Sequence, residues 1–287
     1  MFMRHPSLSF ALAASGLMAA STALAGPITT PSPGQIFTAE NLTPSFTASG
    51  YVNYGDAITN KLAGFRNSLV SGVKPFTFED AALVPNSGVP IDVAITSSVA
   101  GDPIIATLSG AVVRAETLLG RYNTTTPTVA TPEPRKYLEV QTAATAAASA
   151  PGSTLVTPTA PFTIEFSKAI SAFAFFGTDI GDFDGTLYME MYRNGALQTT
   201  LTVRDGSKPA QNGNELLFYG FASPDVAYDK IVFRTKSPGG NDVFGFDDFW
   251  AADAGQLVTP TPTPEPGSLA LVGLALAAAG LMRRRKA

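Results

Sequence analysis

The chain has 287 residues, 45% of them hydrophobic and 15% charged, with a formal net charge of −4, no cysteine and one histidine. Without thiols there are no disulfides. Because the histidine is His5, near the N-terminus, the rest of the chain lacks an imidazole for a Ser-His-Asp triad, a histidine general base or a histidine-bound zinc. With Arg4, Glu265 and the four basic residues near the C-terminus set aside, the body carries a net charge of about −8, the wrong sign for a nucleic-acid partner.

Residues 1–25 combine a charged start at Arg4, the apolar run "SLSFALAASGLMAASTALA" and the small-x-small triplet Ala23-Leu24-Ala25. This order predicts an export signal cleaved before Gly26. Over residues 26–73 the clearest pattern is "YGDAITNKLAGFRNSLVSG", where Ile58, Leu62, Phe65 and Leu69 recur at helical spacing. It predicts one amphipathic helix, capped by Asp56 and ended by Gly72, with its apolar stripe toward a core.

Residues 74–254 read as strands. "PFTFEDAAL", "PIDVAIT", "PIIATLSGAVV" and "KYLEVQ" are expected strands in the first half, with long Thr/Pro- and Ala/Ser-rich loops at 124–134 and 143–159. In "APFTIEFS" Phe162, Ile164 and Phe166 share a face. In "TLYMEMYRNGALQTTLTV" Leu187, Met189 and Met191 alternate with Tyr188, Glu190 and Tyr192 around an Asn194-Gly195 hairpin turn. "ELLFYGFA", "YDKIVFRT" and "VFGFDDFWAA" follow. Many short strands with almost no helix predict a mainly β fold, an antiparallel β-sandwich of jelly-roll type.

A Thr/Pro linker at 255–263 leads to Pro264-Glu265-Pro266. The stretch Leu269 to Met282 has no charged residue, and Arg283, Arg284, Arg285 and Lys286 follow it directly. Basic residues at that end predict a membrane helix whose tail stays cytoplasmic and whose body faces outward. At fewer than the roughly 20 apolar residues a permanent span needs, it suits a temporary anchor. The three-part order over 264–287 resembles the PEP-CTERM sorting signal of Gram-negative bacteria. That resemblance implies processing by an exosortase-type membrane protease, transient residence in the inner membrane, and delivery to the cell surface or an exopolysaccharide matrix. The earlier Thr131-Pro132-Glu133-Pro134 has no apolar run after it and is read as a loop.

The run from Phe162 to Ala252 also resembles the β-sandwich domain found in PEP-CTERM proteins, which looks like a carbohydrate-binding jelly roll. In such modules a last-strand carboxylate joins a first-strand acid around a structural calcium. The resemblance therefore implies that Asp247 or Asp248 is partnered by Glu79 or Asp80. Read as a period-two strand, "FDDFW" places Asp247 and Asp248 on opposite faces, so at least one carboxylate is driven toward a buried side and needs a cation or donors. Asp179, Asp182 and Asp184 in "TDIGDFDG" form a second candidate calcium loop, although their spacing is not that of an EF-hand; the alternative is turn-forming Asp and Gly on a solvated hairpin end.

Tyr188, Tyr192 and Tyr219 are candidate platforms for a sugar, or alternatively the cover of a sheet's second face. No residue pair stands out as catalytic. The expectation is an exported, non-enzymatic protein that binds or organises extracellular polysaccharide. The rival is a secreted carbohydrate-active hydrolase working through a carboxylate pair.

Overall fold

Short strands, some alternating with period two and some apolar throughout, pair into two antiparallel six-stranded sheets that face each other as a β-sandwich. The computed structural model describes residues 30–43, 45–47, 50–79, 83–86, 90–95, 103–116, 124, 135–141, 161–180, 186–205, 215–236 and 243–258. The expected export signal, the sorting tail, the first Thr-Pro-Glu-Pro and the Ala/Ser-rich stretch 143–159 lie outside them.

The first sheet runs in the order β1 (Ile36–Asn41), β12 (Leu216–Ala222), β9 (Ala172–Thr178), β14 (Val243–Ala252), β7 (Arg135–Gln141), β6 (Val112–Glu116). The second runs β11 (Ala196–Arg204), β10 (Thr186–Arg193), β13 (Tyr228–Lys236), β8 (Thr163–Ile170), β5 (Ile104–Ser109), β4 (Ile91–Ile95). A small ribbon of β2 (Ser45–Thr47) and β3 (Gly50–Asn53) precedes the helix α1 (Asp56–Asn67). The chain crosses between sheets at Ser171, a buried corner whose hydroxyl donates to Val226 O at 2.7 Å and whose amide donates to Ala252 O at 2.7 Å.

In the second sheet β5 and β10 alternate cleanly and β8 does so over its first half, because one face is turned to the core, although Val232 on the other face of β13 is buried as well. Ile164, Met189, Met191, Ile231 and Phe233 point into the sandwich, while Thr163, Glu165, Glu190 and Arg234 point out. The β10–β11 hairpin turns at Asn194 and Gly195 with φ of 50° and 77°, the left-handed pair that a two-residue loop requires.

The first sheet does not alternate, and β9 and β12 are buried at every residue. Its inner face supplies Phe173, Phe175, Leu217 and Phe221 to the sandwich core. On its outer face Ala174, Phe176, Phe218 and Trp250 pack beneath α1 and form a second core with Ile58, Phe65 and Leu69. Phe65 is fully buried and meets Phe37, Phe218 and Trp250 edge-on at centroid distances of 5.8, 6.0 and 6.2 Å. The helix is thus the third layer over one sheet, which is why both strand patterns read as unbroken apolar runs.

β1 pairs along its whole length with β12 and α1 covers the same sheet, so this part of the N-terminal segment packs on the sandwich. Two expectations need correction. Asp56 is the first helical residue, not the cap; Gly55 occupies that position without a side-chain bond. "PFTFEDAAL" is not a regular strand: Phe76 bridges Phe249, with both amide bonds made at 2.7 and 2.9 Å, but Phe78 adopts a φ of 61° and ends the extended run.

Candidate functional site

The outer face of the second sheet has no layer over it among the described residues. Tyr188, Glu190 and Tyr192 emerge from β10, flanked by Thr200 and Thr202 of β11 and by Lys230, Val232 and Arg234 of β13. In register, Tyr188 stands beside Arg234 and Tyr192 beside Lys230. Glu190 Oε2 is the centre of this patch: the Tyr192 hydroxyl donates to it at 2.8 Å and Arg234 Nε at 2.9 Å. The bond to Glu190 raises the Tyr192 hydroxyl pKa, because ionisation would place two negative charges together. Further along the same face Lys230 pairs with Glu165 at 2.9 Å, and Thr107 donates to Asp92 at 2.6 Å. Glu190 and Glu165 are thus each paired with a cation, and the face presents hydroxyls, fixed donors and acceptors, and two tyrosine rings four residues apart on one strand.

Tyr219, expected as a third platform, lies elsewhere. It is 2% exposed on the inner face of β12, 6.2 Å from the Phe175 ring, and burial pushes its hydroxyl pKa up. The alternation of "LLFYGFA" could not reveal this, because both faces of β12 are covered.

A second constellation sits where β14 bulges. Relative to β9, Asp247 pairs with Phe176 and Trp250 with Ala174, so β14 carries one extra residue. Asp248 takes up the slack at φ 52°. The bulge lets Phe246 and Phe249, three residues apart, both face the core. It also cancels the expected opposition of the two acids, which converge on Thr124. The Thr124 amide donates to Asp247 Oδ2 at 2.7 Å, and its hydroxyl lies 3.0 Å from Asp247 Oδ2 and 3.2 Å from Asp248 Oδ2, one proton facing two carboxylates. The Asp248 amide donates to Asp247 Oδ1 at 2.8 Å.

Thr124 is itself held by the Tyr54 hydroxyl, which donates to its carbonyl at 2.9 Å while the Tyr54 ring stacks on Phe176. Glu79 follows the strained Phe78 and accepts from the Lys136 amide at 3.3 and 3.4 Å. Asp247 is fully buried. Burial is the main cause of its raised pKa, the Asp248 charge adds to it and Glu79 adds a little more, against the two amide bonds that favour the carboxylate. The structure thus brings Glu79 into electrostatic range of Asp247, while Asp80 lies outside the described residues. Among those residues no three His, Asp or Glu side chains form a ready metal cage. Thr124 was not found from sequence, since it sits in a Thr/Pro tract with no local pattern.

Asp179 is buried at φ 60° just beyond β9; Asp182 and Asp184 fall outside the described residues. Glu215, equally buried, precedes the residue of β12 that pairs with Thr178, so two acids share one end of the first sheet. Pro264, Glu265, Pro266 and the basic cluster also lie outside. No described helix is long and apolar enough to cross a membrane.

The class defined by these sheets is an antiparallel β-sandwich of jelly-roll type with a helix over one face. Residues 262–286 match the PEP-CTERM protein-sorting motif, so the chain carries an exosortase sorting signal of an exported protein. No curated protein matches the chain. Solved structures with some likeness include a mutant family 29 carbohydrate-binding module, 10% identical, covering 60% of this chain and 100% of that one at a TM-score of 0.28. Another is the C-terminal family 22 carbohydrate-binding module of Clostridium thermocellum Xyn10B, 16% identical over 62% of this chain and 99% of that one, TM-score 0.29. At such scores these likenesses define neither a ligand nor a site.

Proposed function

We propose that the protein is a non-enzymatic component of the bacterial cell surface or extracellular matrix, released from a transient inner-membrane anchor by an exosortase-type protease, and that it binds polysaccharide on the outer face of the second sheet. The observation that carries the sorting half is the match of 262–286 to the PEP-CTERM motif. The binding half is supported by asymmetry: the first sheet is covered by α1, while the second offers Tyr188, Tyr192 and a set of paired polar groups to solvent. Tyrosines combine an apolar ring with a polar tip, which suits the mixed faces of a sugar. Because Glu190 and Glu165 are already neutralised by Arg234 and Lys230, the face fits a hydroxyl-rich glycan of low charge.

The same reading includes a structural calcium at the Asp247–Asp248 pair, toward which Glu79 would have to be drawn, since the three carboxylates form no ready cage as they stand. Their oxygens are the donor type the ion prefers, and a divalent charge would offset the desolvation and mutual repulsion that work against ionised Asp247. Asp179 with Asp182 and Asp184 is a second seat for the same ion.

The test of binding uses the full-length protein against purified exopolysaccharide fractions. Tyr188→Ala and Tyr192→Ala together are expected to weaken binding by on the order of tenfold, about 1.4 kcal/mol, with no change in melting temperature. Unchanged binding in the double variant would refute the assignment of the face. Glycan turnover abolished by a single Asp or Glu substitution would refute the non-enzymatic reading.

A further inference from the structure

Among the described residues each large sheet ends in two edge strands, and three of these four edges are blunted. β1 carries Glu40 and lies against α1 through the Phe37–Phe65 contact. β6 carries Arg114 and Glu116, and the Asn86 amide donates to its Val113 O at 2.7 Å. β4 is only five residues long and carries Asp92. Charge, shortness and cover are the ordinary devices that keep a sheet from growing onto a neighbour. β11 differs. At nine residues it is the longest of the four edges, and 196–203 contains neither charge nor proline. Among the described residues nothing pairs with its free side; apart from the ladder to β10, the one hydrogen bond within 196–203 is Gln198 Nε2 donating to Ala196 O at 3.0 Å. Two bulges, at Gln198 and Val203, frame a regular stretch at 199–202.

We infer that the free edge of β11 pairs with the same edge of a second copy of this chain, joining two six-stranded sheets into one of twelve. An extended row of backbone amides and carbonyls is answered by another extended strand. In a two-fold pair the strand faces itself, so a charge along it would stand close to its like; 196–203 brings none. An antiparallel pairing also sets the Arg193 end of one hairpin beside the Asp205 end of the other, so the flanking charges attract, whereas a parallel pairing would set like beside like. With Leu201 opposite its own counterpart, each exposed Thr200 stands opposite the partner's Thr202 on the outer face, a favourable cross-strand pair of hydroxyls. A contact along one strand edge is smaller than a standard interface of roughly 1,600 Å², so the dimer is reversible. Pairing lays Tyr188 and Tyr192 of the two copies on one continuous face. Only this consequence rests on the glycan reading; the dimer itself does not.

The absence of native cysteine lets cross-links report the pairing directly in the full-length chain, kept in mild detergent. Thr200→Cys mixed with Thr202→Cys is compared, under mild oxidation, with Thr200→Cys mixed with Ala94→Cys, an exposed position on β4 at the far edge of the same sheet. Equal melting temperatures first establish that all three variants fold. Pairing predicts disulfides between the two variants at least tenfold faster in the first mixture; equal rates would overturn it. Sedimentation gives the second arm. The unaltered protein is expected to dimerise as its concentration rises to about 1 mM. Thr200→Lys/Thr202→Lys and Thr200→Glu/Thr202→Glu, which set like charges across the two-fold axis, should each stay monomeric, and their equimolar mixture should recover the dimer. An unaltered protein that stays monomeric, a dimer that survives in both charged variants, or a mixture that fails to pair would overturn the proposal. Glycan binding unchanged by Tyr188→Ala/Tyr192→Ala while the cross-link persists would remove the shared glycan face and leave the dimer standing.

Discussion

Phe65→Ala tests the claim that α1 is an integral third layer and not a loosely attached arm. Phe65 is fully buried and touches three aromatic rings from three elements, Phe37 of β1, Phe218 of β12 and Trp250 of β14. Removing a buried phenyl ring costs roughly 3–5 kcal/mol through lost transfer energy and the cavity left behind. For a domain of this size each kcal/mol lowers the melting temperature by about 2–4 °C, so the expected loss is on the order of 6–20 °C. The assay is intrinsic fluorescence, because Trp250 is the only tryptophan and lies directly beneath the helix. Its emission should shift to the red in the same transition that unfolds the sheets. Lys61→Ala, on the exposed side of α1, should leave both quantities unchanged. A shift below 2 °C for Phe65→Ala, or Trp250 becoming exposed long before the strands melt, would refute the three-layer account.

Calcium in excess over chelator should raise the melting temperature. At a hundredfold excess over the dissociation constant the gain is about 2.7 kcal/mol, and Asp247→Asn should remove it; an unchanged melting point with and without EDTA contradicts a structural ion. In calcium-stripped protein the raised pKa of Asp247 means the folded state holds a proton that the unfolded state releases. Its stabilising contribution is full below the unfolded carboxylate pKa of about 3.9 and is lost as pH rises through the higher folded value, so stability should fall with rising pH in that window. Denaturant titration across it would show the opposite slope if Asp247 were an ordinary ion-paired acid. Gly220→Ala should destabilise by roughly 1–3 kcal/mol, since the added Cβ would lie 2.6 Å from that of Ala174 and 3.1 Å from Phe173 O; a neutral result in urea titration would mean β9 and β12 can separate locally.

What the sequence disclosed depended on how many faces of an element are covered. β8 and β10 each bury one face, so Ile164 and Met189 alternate with polar residues and their strands are plain. β12 is covered on both faces, so the apolar run "LLFYGFA" marks a strand without showing which residues face the core, and Tyr219, a candidate platform, lies inside. β1 was missed because its pattern is only half-buried, at the edge of the sheet. The acid pair was legible as a problem, two charges among Phe246, Phe249 and Trp250, but its solution was not. A bulge at Asp248 changes the facing of every later residue, and Thr124 reaches both carboxylates from 123 positions away. Such long-range partners leave no local pattern.

The most direct test of the whole account is the C-terminus of the protein recovered from outside the cell. Mass spectrometry of that material should find chains that end near Pro264-Glu265-Pro266 and lack the apolar stretch and Arg283 to Lys286, with unprocessed precursor confined to the inner membrane. Recovery of the intact chain, through Lys286, free in the cell interior would contradict it.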